Sequence, residues 1–191
     1  TLIMAGFVTT IGLVTEPAAE HYGVSITDIA GRFSWLVAGV FIGGVVAFFI
    51  FDHVPIKQVI LGSYIAAIGL IFWLHVSDSY VLLPFLLGLI GNFFAIVGCG
   101  GVTIITQQWR GNKGQMIMVA QDAMFNGGGI AFSALVTWFV VNAYGWTSVY
   151  VVVIVFLGIV VLLAGLSSFD PAVEMEEVES DAVGAWNAGI I

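Results

Sequence analysis

Residues 80–107 read YVLLPFLLGLIGNFFAIVGCGGVTIITQ, a run without one charged side chain. A helix of that length is about 42 Å long, more than the roughly 30 Å hydrocarbon core of a bilayer. Its apolar positions do not alternate with period two, so it does not read as a barrel strand. A segment crossing lipid must satisfy its own backbone hydrogen bonds, and only helices and closed barrels do so. The stretch is therefore a membrane helix.

The rest of the chain agrees. Of 191 residues, 60% are hydrophobic and 8% charged, and mean hydropathy is +1.11. Soluble domains carry about 25% charged residues. The formal charge of −8 is local: six of the twelve acids, Asp170, Glu174, Glu176, Glu177, Glu179 and Asp181, share one segment near the end. The remaining four bases and six acids give −2, and this pattern points to no nucleic-acid partner. One cysteine, Cys99, excludes an internal disulfide and every Cys-based zinc pattern. No metal and no cofactor is expected. Thr1 already lies inside an apolar run with no Met before it, so something N-terminal is expected to precede it.

Working outward, six spans are expected: 1–16, with an end fraying through 17–22 at Pro17; 29–51; 56–76; 80–107; 115–141; and 147–166. Ser25 and Asp28 suggest an N-cap and a first-turn acid. Pro55 suits a helix start. The expected fold is an all-α integral membrane bundle of six transmembrane helices over 1–167. An acidic linker follows over 168–184, of a kind that does not fold alone. Residues 185–191 begin a further apolar run, read as the start of a seventh helix or as a short amphipathic surface tail. Lys57, Arg110 and Lys113 fall in connections on one side and Arg32 alone near the other. The positive-inside bias then places the N-terminus and the linker in the cytoplasm. Trp35, Trp73, Trp109, Trp138 and Trp146 fall near span ends, as interface belts do. Gly39 and Gly43 form a small-xxx-small pair. Gly127, Gly128 and Gly129 suit close packing, a bend, or both.

One acid stands deep in an apolar run. Asp122 is the sole acid or base between Lys113 and Asp170, and a carboxylate at that depth costs several kcal/mol (about 3) unless it faces a partner, cavity or water. Asn126, four residues on, shares its helix face, and Gln115 lies near it. Asn92, Cys99, Thr103 and Thr106 make a second stripe, and Thr9, Glu16 and Glu20 a third. Three stripes on three helices would converge on a wet cavity if they face one another. Two readings stand side by side. Asn92, Thr103 and Thr106 serve as interhelical glue or as cavity donors; Cys99 reads as a small packed hydrophobe. Glu16 is an interface carboxylate or a second site acid. Asp122 is a structural acid bonded to Asn126 or Gln121, or a group that titrates or binds substrate. His21, His53 and His75, all at span ends, read as solvated loop residues. Neither a Gly-x-Ser-x-Gly nor a mid-span histidine occurs, so no intramembrane protease and no enzyme is expected. A membrane scaffold without transport remains the rival reading.

The turn Phe51-Asp52-His53-Val54-Pro55-Ile56-Lys57 carries a resemblance. It resembles, in degenerate form, the cytoplasmic turn after the second helix of major facilitator superfamily transporters. Asp52 and Lys57 match its first acid and last base; His53, Pro55 and Ile56 depart from it. A Val-Pro-aliphatic-Lys turn, the exit of the fourth span through Gln107 to Gly111, and an Asp followed by aromatic and Gly-rich residues in the fifth resemble the TsgA-like branch near the fucose permease group. The likeness covers about 22–166. It implies the N-terminal half of a twelve-helix secondary transporter in a bacterial-type inner membrane, with a midplane site and alternating access against a C-terminal half. It implies a small polar solute, such as a sugar, moved with protons. The site residues expected are Asp122, Asn126, Asn92, Thr103, Glu16 and Gln121, with Asp52, Lys57 and Arg110 as a cytoplasmic gate. The partners expected are the lipid bilayer, the solute, protons and the second half.

Overall fold

The computed structural model describes residues 2–109, 111–142 and 144–167, with the side chain of Leu2 excepted. Arg110, the acidic linker and the 185–191 run lie outside the described residues. The described residues form six helices: α1 Leu2–Tyr22, α2 Ile26–Ile50, α3 Ile56–Ser77, α4 Leu83–Gln108, α5 Gly111–Val141 and α6 Ser148–Leu166. The protein is a multi-pass helical membrane bundle. Among the described residues, α2 to α6 are each long and apolar enough to cross a bilayer. The sixth helix, α1, has 21 residues, and its last two turns carry Glu16, Pro17 and Glu20.

Local chemistry sets the helix ends. Ser25 caps α2, its hydroxyl accepting from the Asp28 amide at 3.1 Å and donating to the Asp28 carboxylate at 2.7 Å. Such caps are worth about 1 kcal/mol. Helix α2 thus starts at Ile26, three residues before the expected 29. The end of α1 is also firmer than expected. Pro17 lacks an amide to donate, yet the helix continues to Tyr22. There Gly23, at φ +64, closes the helix with two hydrogen bonds: Gly23 N–H donates to Glu20 O at 3.2 Å and Val24 N–H to Ala19 O at 3.0 Å. These are the two bonds of a Schellman end, which needs a residue in the left-handed region. Ala18 and Ala19, buried beside Pro17, hold the last turn against the core. Pro84 sits in the first turn of α4, which starts at Leu83 rather than 80. Helix α5 starts at Gly111, four residues before the expected 115.

Two helix pairs dominate the packing, α2 on α4 and α1 on α5, while α3 lies against α4 and α6. The α2–α4 seam is backbone against backbone. A Cβ on Gly39 would strike the Gly88 backbone, one on Gly43 the Asn92 carbonyl, and one on Gly91 the Leu36 carbonyl. The expected Gly39/Gly43 pair therefore packs as small residues do in lipid, where close approach replaces the hydrophobic effect as the attraction. The triple glycine does not interrupt α5. Gly128 and Gly129 are buried, and a Cβ on Gly129 would come within 3.1 Å of Thr9 Cγ2.

A core of Phe7, Phe94 and Tyr150 joins α1, α4 and α6, with ring centroids 5.3 Å apart for Phe7–Phe94 and 4.9 Å for Phe7–Tyr150. Trp146 is not a belt residue. It is 6% exposed, packed against Tyr22, Phe33 and Tyr150, because the turn before α6 folds over the end of the core. Trp35, Trp73 and Trp138 remain exposed, together with Phe41 and Phe48 of α2. Apolar surface on this scale has a place in lipid rather than water.

Candidate functional site

Helix α5 presents Asp122 and Asn126 on its exposed side. With the helix starting at Gly111, Asp122 lies eleven residues in, or about 17 Å. That is further along the helix than the two turns implied by a start at 115, and nine residues past Lys113. Asn126 Nδ2 donates to the Asp122 backbone carbonyl at 3.0 Å, not to its carboxylate. The reading of Asp122 as a buried acid bonded to Asn126 or Gln121 is therefore not what the structure shows. Among the described residues no group of this chain bonds the Asp122 carboxylate.

Among the described residues two of the three stripes meet, those of α1 and α5, while Asn92 of the α4 stripe faces elsewhere. Asn126 lines a groove of about 400 Å³ between α1 and α5 with Thr9, Phe125, Gly129, Ile130 and Ser133. Asn92 lies in a separate, more apolar groove of about 290 Å³ between α2 and α4, with Trp35, Ile42, Phe85 and Leu89. Gln121 turns away from Asp122 into a third cavity of about 100 Å³. Neighbours on a helix stand 100° apart, so adjacent residues can serve opposite sides. Glu16 is exposed on α1, about two turns past Thr9.

The hydroxyls bond to their own helices rather than across seams. Thr9 Oγ1 donates to Ala5 O at 2.8 Å, Thr103 Oγ1 to Cys99 O at 2.9 Å and Thr106 Oγ1 to Thr103 O at 2.9 Å. This back-bonding uses the donor locally and leaves an oxygen lone pair outward. The glue reading of Thr103 and Thr106 is not borne out.

At the end where α3 starts, Asp52 is exposed and Lys57 is engaged. Lys57 Nζ donates to Gly165 O at 3.3 Å and to Ser167 O at 2.6 Å. A cation on the last carbonyls of α6 offsets the negative end of that helix dipole. At the other end His21 and His75 are not plain solvated residues. His21 Nε2 lies 2.8 Å and 2.9 Å from the Asp78 carboxylate oxygens, and His75 Nδ1 lies 3.0 Å from Thr147 Oγ1. Arg32 stacks 3.5 Å from the Tyr80 ring centroid and donates to Tyr80 O at 3.1 Å. The sequence separates these partners by 48 to 72 positions, so no local pattern shows them. The His21–Asp78 pair is about half exposed. Substituting His21→Ala is expected to lower the unfolding free energy by under about 1 kcal/mol; a larger loss in a double-mutant cycle with Asp78→Asn would contradict this.

No protein-family model matches the chain. Among curated proteins it is similar to protein TsgA of Salmonella arizonae, 23% identical over 184 residues that cover 94% of this chain and 46% of that protein. A TsgA homolog of Buchnera aphidicola subsp. Schizaphis graminum is 25% identical over 187 residues, with the same coverage of 94% and 46%. Protein TsgA of Shigella dysenteriae is 22% identical over 184 residues, again 94% and 46%. The chain spans about half the length of the curated relatives it matches. The likeness to TsgA proteins runs along most of the chain. At this identity it selects no branch.

The sequence reading missed Phe125, Ser133 and Tyr64 as lining residues. Ser133 was within reach: it stands seven residues after Asn126, on the same face.

Proposed function

We propose that this chain is the N-terminal six-helix half of a secondary transporter, moving a small polar solute such as a sugar by alternating access coupled to protons. The carrying observation is Asp122, an exposed carboxylate near mid-depth of a membrane helix, which no group of its own half neutralises among the described residues. A charge left there needs water, a ligand or a partner surface. The neighbouring α1–α5 groove offers Thr9, Asn126 and Ser133, neutral donors and acceptors suited to the hydroxyls of an uncharged solute, with the Phe125 ring beside them. Thr103 on α4 and Glu16 on α1 are the further contacts proposed; Asn92, in the separate α2–α4 groove, is not among them. Support for a second half comes from the relatives, whose length is about twice the matched region. The proposed setting is a bacterial inner membrane, with the Lys57 and Lys113 end cytoplasmic.

A single cysteine tests this. In a Cys99→Ala background, Asn126→Cys is expected to react with a membrane-impermeant maleimide, and the solute is expected to slow the reaction. A lipid-facing or dry position would leave it unlabelled, as a non-transporting scaffold requires.

The turn with Asp52 is proposed as a gate latch against the second half, with Lys57 fixing the end of α6 and Arg110 joining the cluster. Asp52→Ala is expected to change the transport rate severalfold with equilibrium solute affinity unchanged. A large loss of affinity would argue against the latch.

A further inference from the structure

We propose that the cavity between α1, α3, α4 and α5 is a hydration site, holding a small cluster of bound water anchored on Tyr64 and Gln121. The cavity measures about 100 Å³ and is lined by Met4, Ile60, Tyr64, Gly98, Gly101 and Gln121, among others. It lies toward the end of the bundle that carries Lys57, since Ile60 is four residues from the start of α3 and Gly101 seven from the end of α4.

Two observations make it polar and open. Tyr64 is 9% exposed, and among the described residues neither its hydroxyl nor the Gln121 amide has a hydrogen-bond partner. Both groups border the cavity, and a polar group that no protein group bonds is satisfied by water. The glycines here differ from those of the α2–α4 seam. A Cβ on Gly98 would meet only Met4 Cε at 3.5 Å, and one on Gly101 only Gln121 Oε1 at 3.9 Å. Those are ordinary contacts, so neither glycine is needed for close packing; their missing side chains leave room. At about 30 Å³ per water in the liquid, the space holds on the order of three molecules. Tyr64 gives one donor and an acceptor, and the Gln121 amide gives donors and a carbonyl, which meets the two to four partners that a buried water requires.

The position has a consequence that rests on the transport reading: Gln121 precedes Asp122, so exchangeable water stands on the inner side of α5 one residue from the proposed proton-bearing carboxylate. The hydration site itself does not depend on transport, and its test is separate from uptake.

The test is hydroxyl-radical footprinting by X-ray radiolysis of the protein in lipid nanodiscs, which oxidises side chains beside bound water even when they are buried. Tyr64 and Met4 are expected to be oxidised severalfold faster than Phe7 and Phe94, after correction for intrinsic reactivity. Gly101→Val, which fills the space, is expected to bring Tyr64 down toward Phe94. Should that variant fail to fold, Gly98→Ala introduces only an ordinary contact and reads the same change. Tyr64→Phe removes one anchor and is expected to lower Met4 oxidation. A Tyr64 rate equal to that of Phe94, or one unmoved by the filling variants, would overturn the proposal by showing a dry cavity or one occupied by lipid.

Discussion

Asp122→Asn is expected to end proton-driven accumulation of the solute while leaving solute exchange across the membrane in place. The argument rests on what the amide cannot do. Asn keeps the size of Asp and resembles its protonated form, with one acceptor oxygen and a donor, but it carries no exchangeable proton charge. A carrier that moves one proton per solute converts each pH unit of gradient into about tenfold accumulation, since one unit is worth 1.36 kcal/mol. In cells or proteoliposomes with an imposed gradient of one unit, the variant is then expected to reach only equal concentrations on both sides. Counterflow, which needs no proton gradient, separates coupling from folding. If the variant still exchanges solute but does not concentrate it, Asp122 couples. Wild-type accumulation in the variant would remove Asp122 from the proposal. A variant that inserts less well than the wild type would also count against it: removing an unneutralised carboxylate near mid-membrane relieves a cost of about 3 kcal/mol, so insertion is expected to hold or improve.

The second large effect lies in the α2–α4 seam. Gly43→Leu is expected to prevent the bundle from closing, and Gly39→Leu to do the same. Any side chain on Gly43 enters the space of the Asn92 carbonyl, and any on Gly39 the space of the Gly88 backbone. A side-chain neighbour could change rotamer, but a backbone neighbour moves only with its helix. Overpacking against movable side chains costs about 1 to 3 kcal/mol, and separating two helices along a seam forfeits the van der Waals contact of the whole interface. Gly44 supplies the control. A Cβ there meets nothing within 4 Å, so Gly44→Leu is expected to hold or slightly raise stability, by up to about 1 kcal/mol from helix propensity. Unfolding in mixed micelles compares the two. Equal midpoints for Gly43→Leu and Gly44→Leu would mean that α2 and α4 do not meet as described.

The same contrast explains which parts of the site could be read in advance. Asp122 announces itself, because one acid in an apolar run has no inexpensive explanation. Asn126 follows from spacing alone, and it does line a groove with α1. Gln121, grouped with them in the sequence reading, faces the other way, because one residue along a helix is a turn of 100° and the neighbour on that side is α4. Lys57 reads as a gate charge from its place in the 51–57 turn. Its observed partners are carbonyls of Gly165 and Ser167, more than a hundred residues on, and contact at that separation leaves no periodic trace.

The sequence by itself determined that this chain is a membrane bundle of helices and roughly where each begins and ends. The reason is that backbone polar groups cannot go unpaired in lipid, and that Ser25, Gly23, Pro55 and Pro84 act through bonds or ring constraints reaching only a few residues. It also determined that Asp122 is out of place unless something answers its charge. What only the tertiary structure decided is which side of each helix faces protein. Lipid and protein interior are equally apolar, so hydrophobicity does not tell the α2 face with Phe41 from the one with Leu36. Close approach of backbones settles that question, through Gly39, Gly43 and Gly91. The same packing joined Thr9 and Asn126 in one groove, set Asn92 in another, and put Gln121 and Tyr64 together, far apart in sequence, around one small space.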